Sequence, residues 1–140
     1  MNDQDFLAAL EDCTLPPADF SHAAHIRAGF LYLRHGDFAE ALGAMRRAIK
    51  TFAASIGKEG LYHETITVAF MTLINERMAA DPSLSDWPAF AARNGDLFAG
   101  DILCRFYSRE RLEDPLARRV FLLPDRAPQT SCPGTSYAAA

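Results

Sequence analysis

The sequence has no apolar run approaching the roughly 18 residues that a membrane-spanning helix needs. Its first residues, Met1 to Asp5, include acids and no base, whereas a secretory signal peptide begins with basic and then apolar residues. These absences predict a cytoplasmic protein that neither crosses a membrane nor binds one.

Cysteine is scarce as well. The chain has three cysteines, Cys13, Cys104 and Cys132, and no C-x-x-C pair is among them. An odd number without such a pair fits reduced thiols in a cytosol better than a disulfide framework.

An excess of positive charge is also missing. The chain has 18 acidic and 14 basic residues, and its formal net charge is -4. It would repel a nucleic acid unless its arginines were segregated on one surface. The arginines between residues 101 and 126 are instead interspersed with acids. We therefore predict no nucleic-acid partner.

Common catalytic and binding motifs are absent. The sequence contains no G-x-S-x-G, P-loop, G-x-G-x-x-G or EF-hand pattern. The commoner classes of hydrolase, nucleotide-binding protein and calcium-binding protein are thereby excluded.

Helical periodicity is what the sequence does contain, and most Pro and Gly residues fall between the periodic segments. Residues 1–124 predict an all-α fold, a single-domain antiparallel helical bundle of about five to seven helices. Beyond Pro124 the composition turns to Pro, Ser, Thr, Gly and Ala, so residues 125–140 are predicted to be a mobile tail. The predicted helices cover residues 3–12, 22–34, 38–56, 61–80, 87–92, 96–107 and 115–121.

Residues 24–53 carry part of the pattern of a tetratricopeptide repeat, with Gly29, Tyr32, the Gly36-Asp37-Phe38 turn, Ala41 and Ala48 at matching positions. No second copy follows, and about three are needed for a stable stack. A packing explanation is that small residues let the second and third helices approach closely. The repeat-like hairpin nevertheless keeps open an alternative function, a non-enzymatic protein-interaction module with structural histidines.

Three of the four histidines, His22, His25 and His63, are predicted in the first turns of the second and fourth helices. In an antiparallel bundle these two helices run parallel, so their N-termini emerge at one end. We expect a hydrophobic floor capped by His22, His25, His63 and Thr67, with Arg27, Glu64 and Thr65 near the rim. The positive end of a helix dipole disfavours imidazolium, so neutral imidazoles are expected there.

This predicted pocket has two interpretations besides the structural one. A small acidic ligand could bind to backbone N–H groups, Arg27 and the hydroxyls of Thr65 and Thr67. Alternatively, His22, His25 and His63 could ligate zinc or iron(II), with Glu64 as the fourth ligand or as a base. A zincin protease is excluded, because Thr67 stands where the second histidine of H-E-x-x-H is required.

If the protein is an enzyme, His63 is the predicted proton acceptor and Glu64 orients it. His22 and His25 would then polarise or ligate the substrate, and Arg27 would hold negative charge. The structural interpretation assigns the same histidines to caps and packing at the bundle end.

Several short segments also resemble a family of small bacterial helical proteins that has no assigned activity. They are His22 to Arg27 (H-x-x-H-x-R), Tyr62 to Thr67 (Y-H-E-T-I-T), Phe106 to Ser108, Ala117 to Phe121, and Pro124-Asp125. The resemblance spans nearly residues 18–126. It implies an independently folding cytoplasmic domain whose two histidine motifs belong together, and it implies no activity, cofactor or substrate.

Overall fold

The computed structural model describes residues 1–126. Within that range the fold is all-α, as predicted, with seven α-helices and no strand. The helices are α1 (Asp3–Glu11), α2 (His22–His35), α3 (Phe38–Ser55), α4 (Glu64–Ala80), α5 (Trp87–Arg93), α6 (Arg109–Glu113) and α7 (Pro115–Arg119). None of these helices has the length and apolar character to span a membrane.

The predicted helix starts are set by side-chain caps. Ser21 accepts a hydrogen bond from the Ala24 N–H at the start of α2. At the start of α3, Asp37 and Glu40 form a complete capping box, and Asp86 caps α5. Each cap satisfies an N–H group that has no partner inside its helix, which fixes where the helix begins.

The core is built around α2. Gly29 of α2 lies against α4, where a Cβ atom would come within 2.9 Å of Ile74 Cδ1 and 3.0 Å of Met71 Sδ. The packing explanation of the repeat-like pattern is therefore wrong for this glycine, since the close approach is to α4 and not to α3. On another side of α2, Phe30 packs against Trp87 and Phe90 of α5.

One predicted helix does not form. Residues 96–107 were expected to be helical, but they contain two 3₁₀ turns, Gly95–Phe98 and Ile102–Arg105. Ala99 between them has an extended backbone, with ψ at 129°, and Gly100 follows it. Glycine is a poor helix former, and the short turns still bury Leu97, Ile102 and Leu103.

The C-terminal part of the described chain also differs from the prediction. The helix α6 was not anticipated, and α7 ends at Arg119 and not at Phe121. Two residues placed in the predicted mobile tail bond to the bundle: Asp125 accepts from Ser108, and the Arg126 N–H donates to the Phe106 carbonyl. The rest of that tail, residues 127–140, lies outside the described residues.

Candidate functional site

A groove opens between α2, α3 and α4. Its inner lobe is a cavity of about 320 Å³, at the small end of the range for ligand pockets. The apolar walls of this lobe come from all three helices and include core residues such as Ile26, Met45, Met71 and Ile74. The lobe therefore reaches from the surface into the hydrophobic core.

A second cavity, the outer lobe, has a volume of about 370 Å³. It shares four lining residues with the inner lobe, so the two cavities adjoin at these residues, which we name the waist: His25, Ile49, Ile66 and Thr67. The rest of the outer lobe is bounded by aromatic and aliphatic side chains, by His63 and by Lys58. The two lobes together, here called the groove, are thus mainly apolar, with polar groups at the waist and in the outer lobe.

His25 stands at the waist. Its ring stacks on Phe20 with centroids 3.8 Å apart and an interplanar angle of 13°. Its Nδ1 lies 2.8 Å from the Ser21 carbonyl and so donates its proton there. Burial lowers the pKa of His25 below 6.5, which favours the neutral ring. In that tautomer Nε2 is a hydrogen-bond acceptor, and no group within residues 1–126 donates to it.

His22 and Thr67 add two further acceptors to the inner lobe. The Nε2 atom of His22 donates to the Leu97 carbonyl at 3.0 Å, so its Nδ1 accepts when the ring is neutral. The Thr67 hydroxyl donates to the His63 carbonyl at 2.9 Å, which leaves its oxygen lone pairs. The polar side chains of the inner lobe therefore offer acceptors.

His63 differs from the prediction. It is the N-cap of α4 and not a first-turn residue, and it is 9% exposed. Its Nδ1 accepts from the Ile66 N–H at 3.1 Å, while its Nε2 donates to the Leu112 carbonyl at 2.8 Å. With both ring nitrogens bonded, neither is available to accept a proton or bind a metal. The proposed catalytic role of His63 is therefore not supported, because the fold uses both nitrogens as a cap and a tie.

Thr65 lies away from the groove. It is fully buried, and its hydroxyl oxygen is 2.7 Å from the Ala117 carbonyl and 2.9 Å from the Val120 carbonyl. The same oxygen accepts from the Leu122 N–H at 3.1 Å. We name the bonds of His63 and Thr65 to residues 112–122 the C-terminal latch. Thr65 was expected to bind a ligand, but its hydroxyl is bonded to the C-terminal segment instead.

Glu64 is held at the surface of α3 and α4. Its Oε1 accepts from Arg46 Nε at 2.9 Å and from the Tyr62 hydroxyl at 2.6 Å. Burial raises the pKa of Glu64, but the hydrogen bonds from Tyr62 and Arg46 outweigh burial, so the pKa is lowered overall. Burial and the bond to Glu64 raise the pKa of Tyr62 to about 12. Glu64 thus remains a paired carboxylate and makes no hydrogen bond to His63.

Arg27 serves α1 and not the groove. Its guanidinium donates to the Asp3 carboxylate at 2.7 Å and to the Met1 carbonyl at 3.1 Å. It also lies 4.5 Å from the centroid of the Phe6 ring. Arg27 was expected to hold the negative charge of a ligand, but its guanidinium is instead held in an ion pair with Asp3.

The predicted metal ligands do not form a metal site. Within residues 1–126, no group of three or more His, Cys, Asp or Glu side chains is arranged to hold a metal ion. The engagement of both His63 nitrogens gives the physical reason, since a ligating imidazole needs a free lone pair. The residues present do not fit zinc or iron(II) bound by His22, His25 and His63.

Sequence reasoning missed two contributors to the groove. Phe20 precedes α2 and orients His25 by stacking, and Lys58 lies in the turn between α3 and α4. Neither carries a periodic signal, because both lie outside the α-helices. The α3 residues Met45 and Ile49, by contrast, lie within the periodic helix that the sequence predicts at residues 38–56.

No family model, curated protein or solved structure matches the chain. The resemblance to small bacterial proteins therefore stays a prediction, and the functional argument rests on the geometry described above.

Proposed function

We propose that the protein is a small-molecule binding protein whose groove holds a mainly apolar ligand bearing a hydrogen-bond donor. The observation that supports this most directly is the waist, where a neutral His25, whose Nε2 has no donor within residues 1–126, lines a mainly apolar cavity. In this proposal the protein works in the cytoplasm, where its free thiols at Cys13 and Cys104 stay reduced.

The chemistry of the inner lobe selects the ligand group. Acceptors from His22, His25 and Thr67 attract a hydroxyl or an N–H. They disfavour a carboxylate, which has only acceptor atoms. A ligand that covers one of these acceptors without bonding to it loses binding energy. The waist therefore favours a ligand with a hydrogen-bond donor over one of equal apolar area without a donor.

The groove supports binding better than catalysis. The predicted proton acceptor, His63, is engaged in the latch, and its predicted helper, Glu64, is engaged in an ion pair. The neutral imidazole of His25 can accept a hydrogen bond from a ligand. The neighbouring Thr67 hydroxyl does not act as a nucleophile, because it donates its proton to the His63 carbonyl.

The test uses two probes of similar size, octanol and octyl methyl ether. Octanol should raise the melting temperature saturably, since it binds the folded state. The ether lacks the donor, so its affinity should be about fivefold lower, as expected for one neutral hydrogen bond. Calorimetric titration at pH 8 measures both constants with His25 neutral.

Two threonine variants sharpen the test. Thr67→Val removes a groove acceptor, whereas Thr72→Val is the matched control, because each hydroxyl donates to the carbonyl four residues earlier on α4. Only Thr67 lines the groove. His25→Phe and Thr67→Val should narrow the difference between alcohol and ether, and Thr72→Val should preserve it. Absence of saturable octanol binding, or equal binding of the ether to the unmutated protein, would overturn the proposal.

A further inference from the structure

Lys58 lines the outer lobe, and the end of α3 fixes the position of its backbone. Gly57 adopts a left-handed φ of 71°, a conformation that glycine tolerates best. The Gly57 and Lys58 N–H groups then donate to the Ala54 and Ala53 carbonyls, at 3.1 and 2.8 Å. This C-terminal cap holds the backbone of Lys58 at the rim of the groove.

The charges around this rim favour an anion. Lys58 is exposed, and it forms no ion pair with any residue of the described part. The nearby acid Glu64 is already paired with Arg46, and Lys50 adds a second ammonium group 4.8 Å from the Tyr62 ring centroid. Tyr62 itself lines the outer lobe. Against the ammonium groups of Lys58 and Lys50 stands the exposed carboxylate of Glu59, which follows Lys58 in the chain.

The groove therefore combines three kinds of recognition. The inner lobe is mainly apolar, the waist offers acceptors, and the outer lobe has an ammonium group in its lining. From this combination we infer that the ligand is a linear hydroxylated monocarboxylic acid. Its carboxylate pairs with Lys58, its hydroxyl donates to His25 at the waist, and its hydrocarbon chain fills the inner lobe. This inference rests on the proposed function, and it assigns the acidic group to Lys58 instead of Arg27.

The experiment compares octanol, decanoate and β-hydroxydecanoate by calorimetric titration at pH 8. Octanol and β-hydroxydecanoate carry the same seven-carbon chain beyond the hydroxyl-bearing carbon, so they differ only by the added carboxymethyl group. β-Hydroxydecanoate should bind the unmutated protein about twofold to fivefold more tightly than octanol, the range expected of a partly exposed ion pair. Decanoate should bind more weakly than the hydroxy acid, since it leaves the waist acceptors unpaired. Raising the salt concentration should reduce the advantage of the hydroxy acid over octanol.

A pair of lysine variants locates the carboxylate. Lys58→Met should abolish the advantage of β-hydroxydecanoate over octanol while the affinity for octanol is retained. Lys50→Met removes the same charge outside the groove lining and should preserve most of the advantage. If Lys58→Met leaves the advantage intact, or if octanol binds as tightly as the hydroxy acid, the inference is overturned while the proposed function stands. If none of the three probes binds, both are overturned.

Discussion

The latch and the waist take the same kinds of side chain from the start of α4 and use them for opposite purposes. In the latch, His63 and Thr65 bind residues 112–122. At the waist, Thr67 joins His25 of α2. The chain bonds both ring nitrogens of His63 and the hydroxyl of Thr65, whereas no group within residues 1–126 donates to His25 Nε2 at the waist. A polar residue at a helix start thus signals function only when the fold leaves one of its atoms unpaired.

The latch should carry far more stability than the waist, and Thr65→Val is the strongest test. This change removes a fully buried hydroxyl and leaves the Leu122 N–H and two carbonyls without that partner. We expect a loss of about 3 kcal/mol in the free energy of unfolding, measured in urea.

Thr67→Val provides the control for that test. The His63 carbonyl keeps its bond from the Thr67 N–H when the hydroxyl is removed, so the cost should stay below about 1 kcal/mol. Equal losses for the two variants would contradict the distinction between latch and waist.

His63→Ala should be the next most damaging change. It removes the cap of α4 and the tie to the Leu112 carbonyl together, at an expected cost of about 2 kcal/mol. His63→Asn should recover part of this loss, because asparagine is a good N-cap. Octanol binding should persist in His63→Asn. Loss of octanol binding in this variant would show that the His63 ring takes part in binding the ligand.

Asp96→Asn tests a structural ion pair outside both regions. Arg77 donates two hydrogen bonds to this carboxylate and thereby lowers the pKa of Asp96 to about 2. The stabilisation is present above pH 4 and is lost as the pH falls towards 2, because the unfolded carboxyl protonates first. The variant should lose about 1 kcal/mol at pH 7. Its stability should also depend less on pH between 4 and 2 than that of the unmutated protein, as followed by urea unfolding.

His25→Phe should have the smallest effect on stability, below about 1 kcal/mol at pH 7, because phenylalanine can keep the stacking on Phe20. Burial lowers the pKa of the folded His25 ring, so below pH 6.5 the unfolded chain binds its proton first and stability falls. His25→Phe should lack this loss of stability at low pH. Unfolding curves at pH 8 and pH 5.5 give the free energy of unfolding at each pH. If the difference between the two free energies is the same in the variant as in the unmutated protein, burial of His25 is contradicted.

The fold could be predicted further than the site. Helix starts at Ser21, Asp37 and Asp86 follow from local capping chemistry, and the long periodic stripes predict α2, α3 and α4. The prediction of a helix at residues 96–107 was wrong, because the apolar spacing there is equally compatible with successive 3₁₀ turns that bury the same side chains.

Site prediction from residue type had a different limit. The sequence placed His22, His25, His63 and Thr67 at one end of the molecule, and the groove indeed touches all four. It could not show that Leu112 and Ile66 occupy both nitrogens of His63, or that Asp3 holds Arg27. The bonds of His63 to Leu112 and of Thr65 to Ala117 join residues about fifty positions apart, and no local pattern encodes them.

The sequence by itself determined the all-α class, the caps and the apolar stripes, because propensity, capping and periodicity act over a few neighbouring residues. Only the tertiary structure decided which polar atoms stay unpaired. That outcome depends on distant chain segments: residues 112–122 bond to His63 and Thr65 of the latch, while His25, beside the cavity between α2, α3 and α4, has no donor to its Nε2 within residues 1–126. Whether a polar atom finds a hydrogen-bond partner depends on the packing of the whole fold, and this is the property in which the latch differs from the groove.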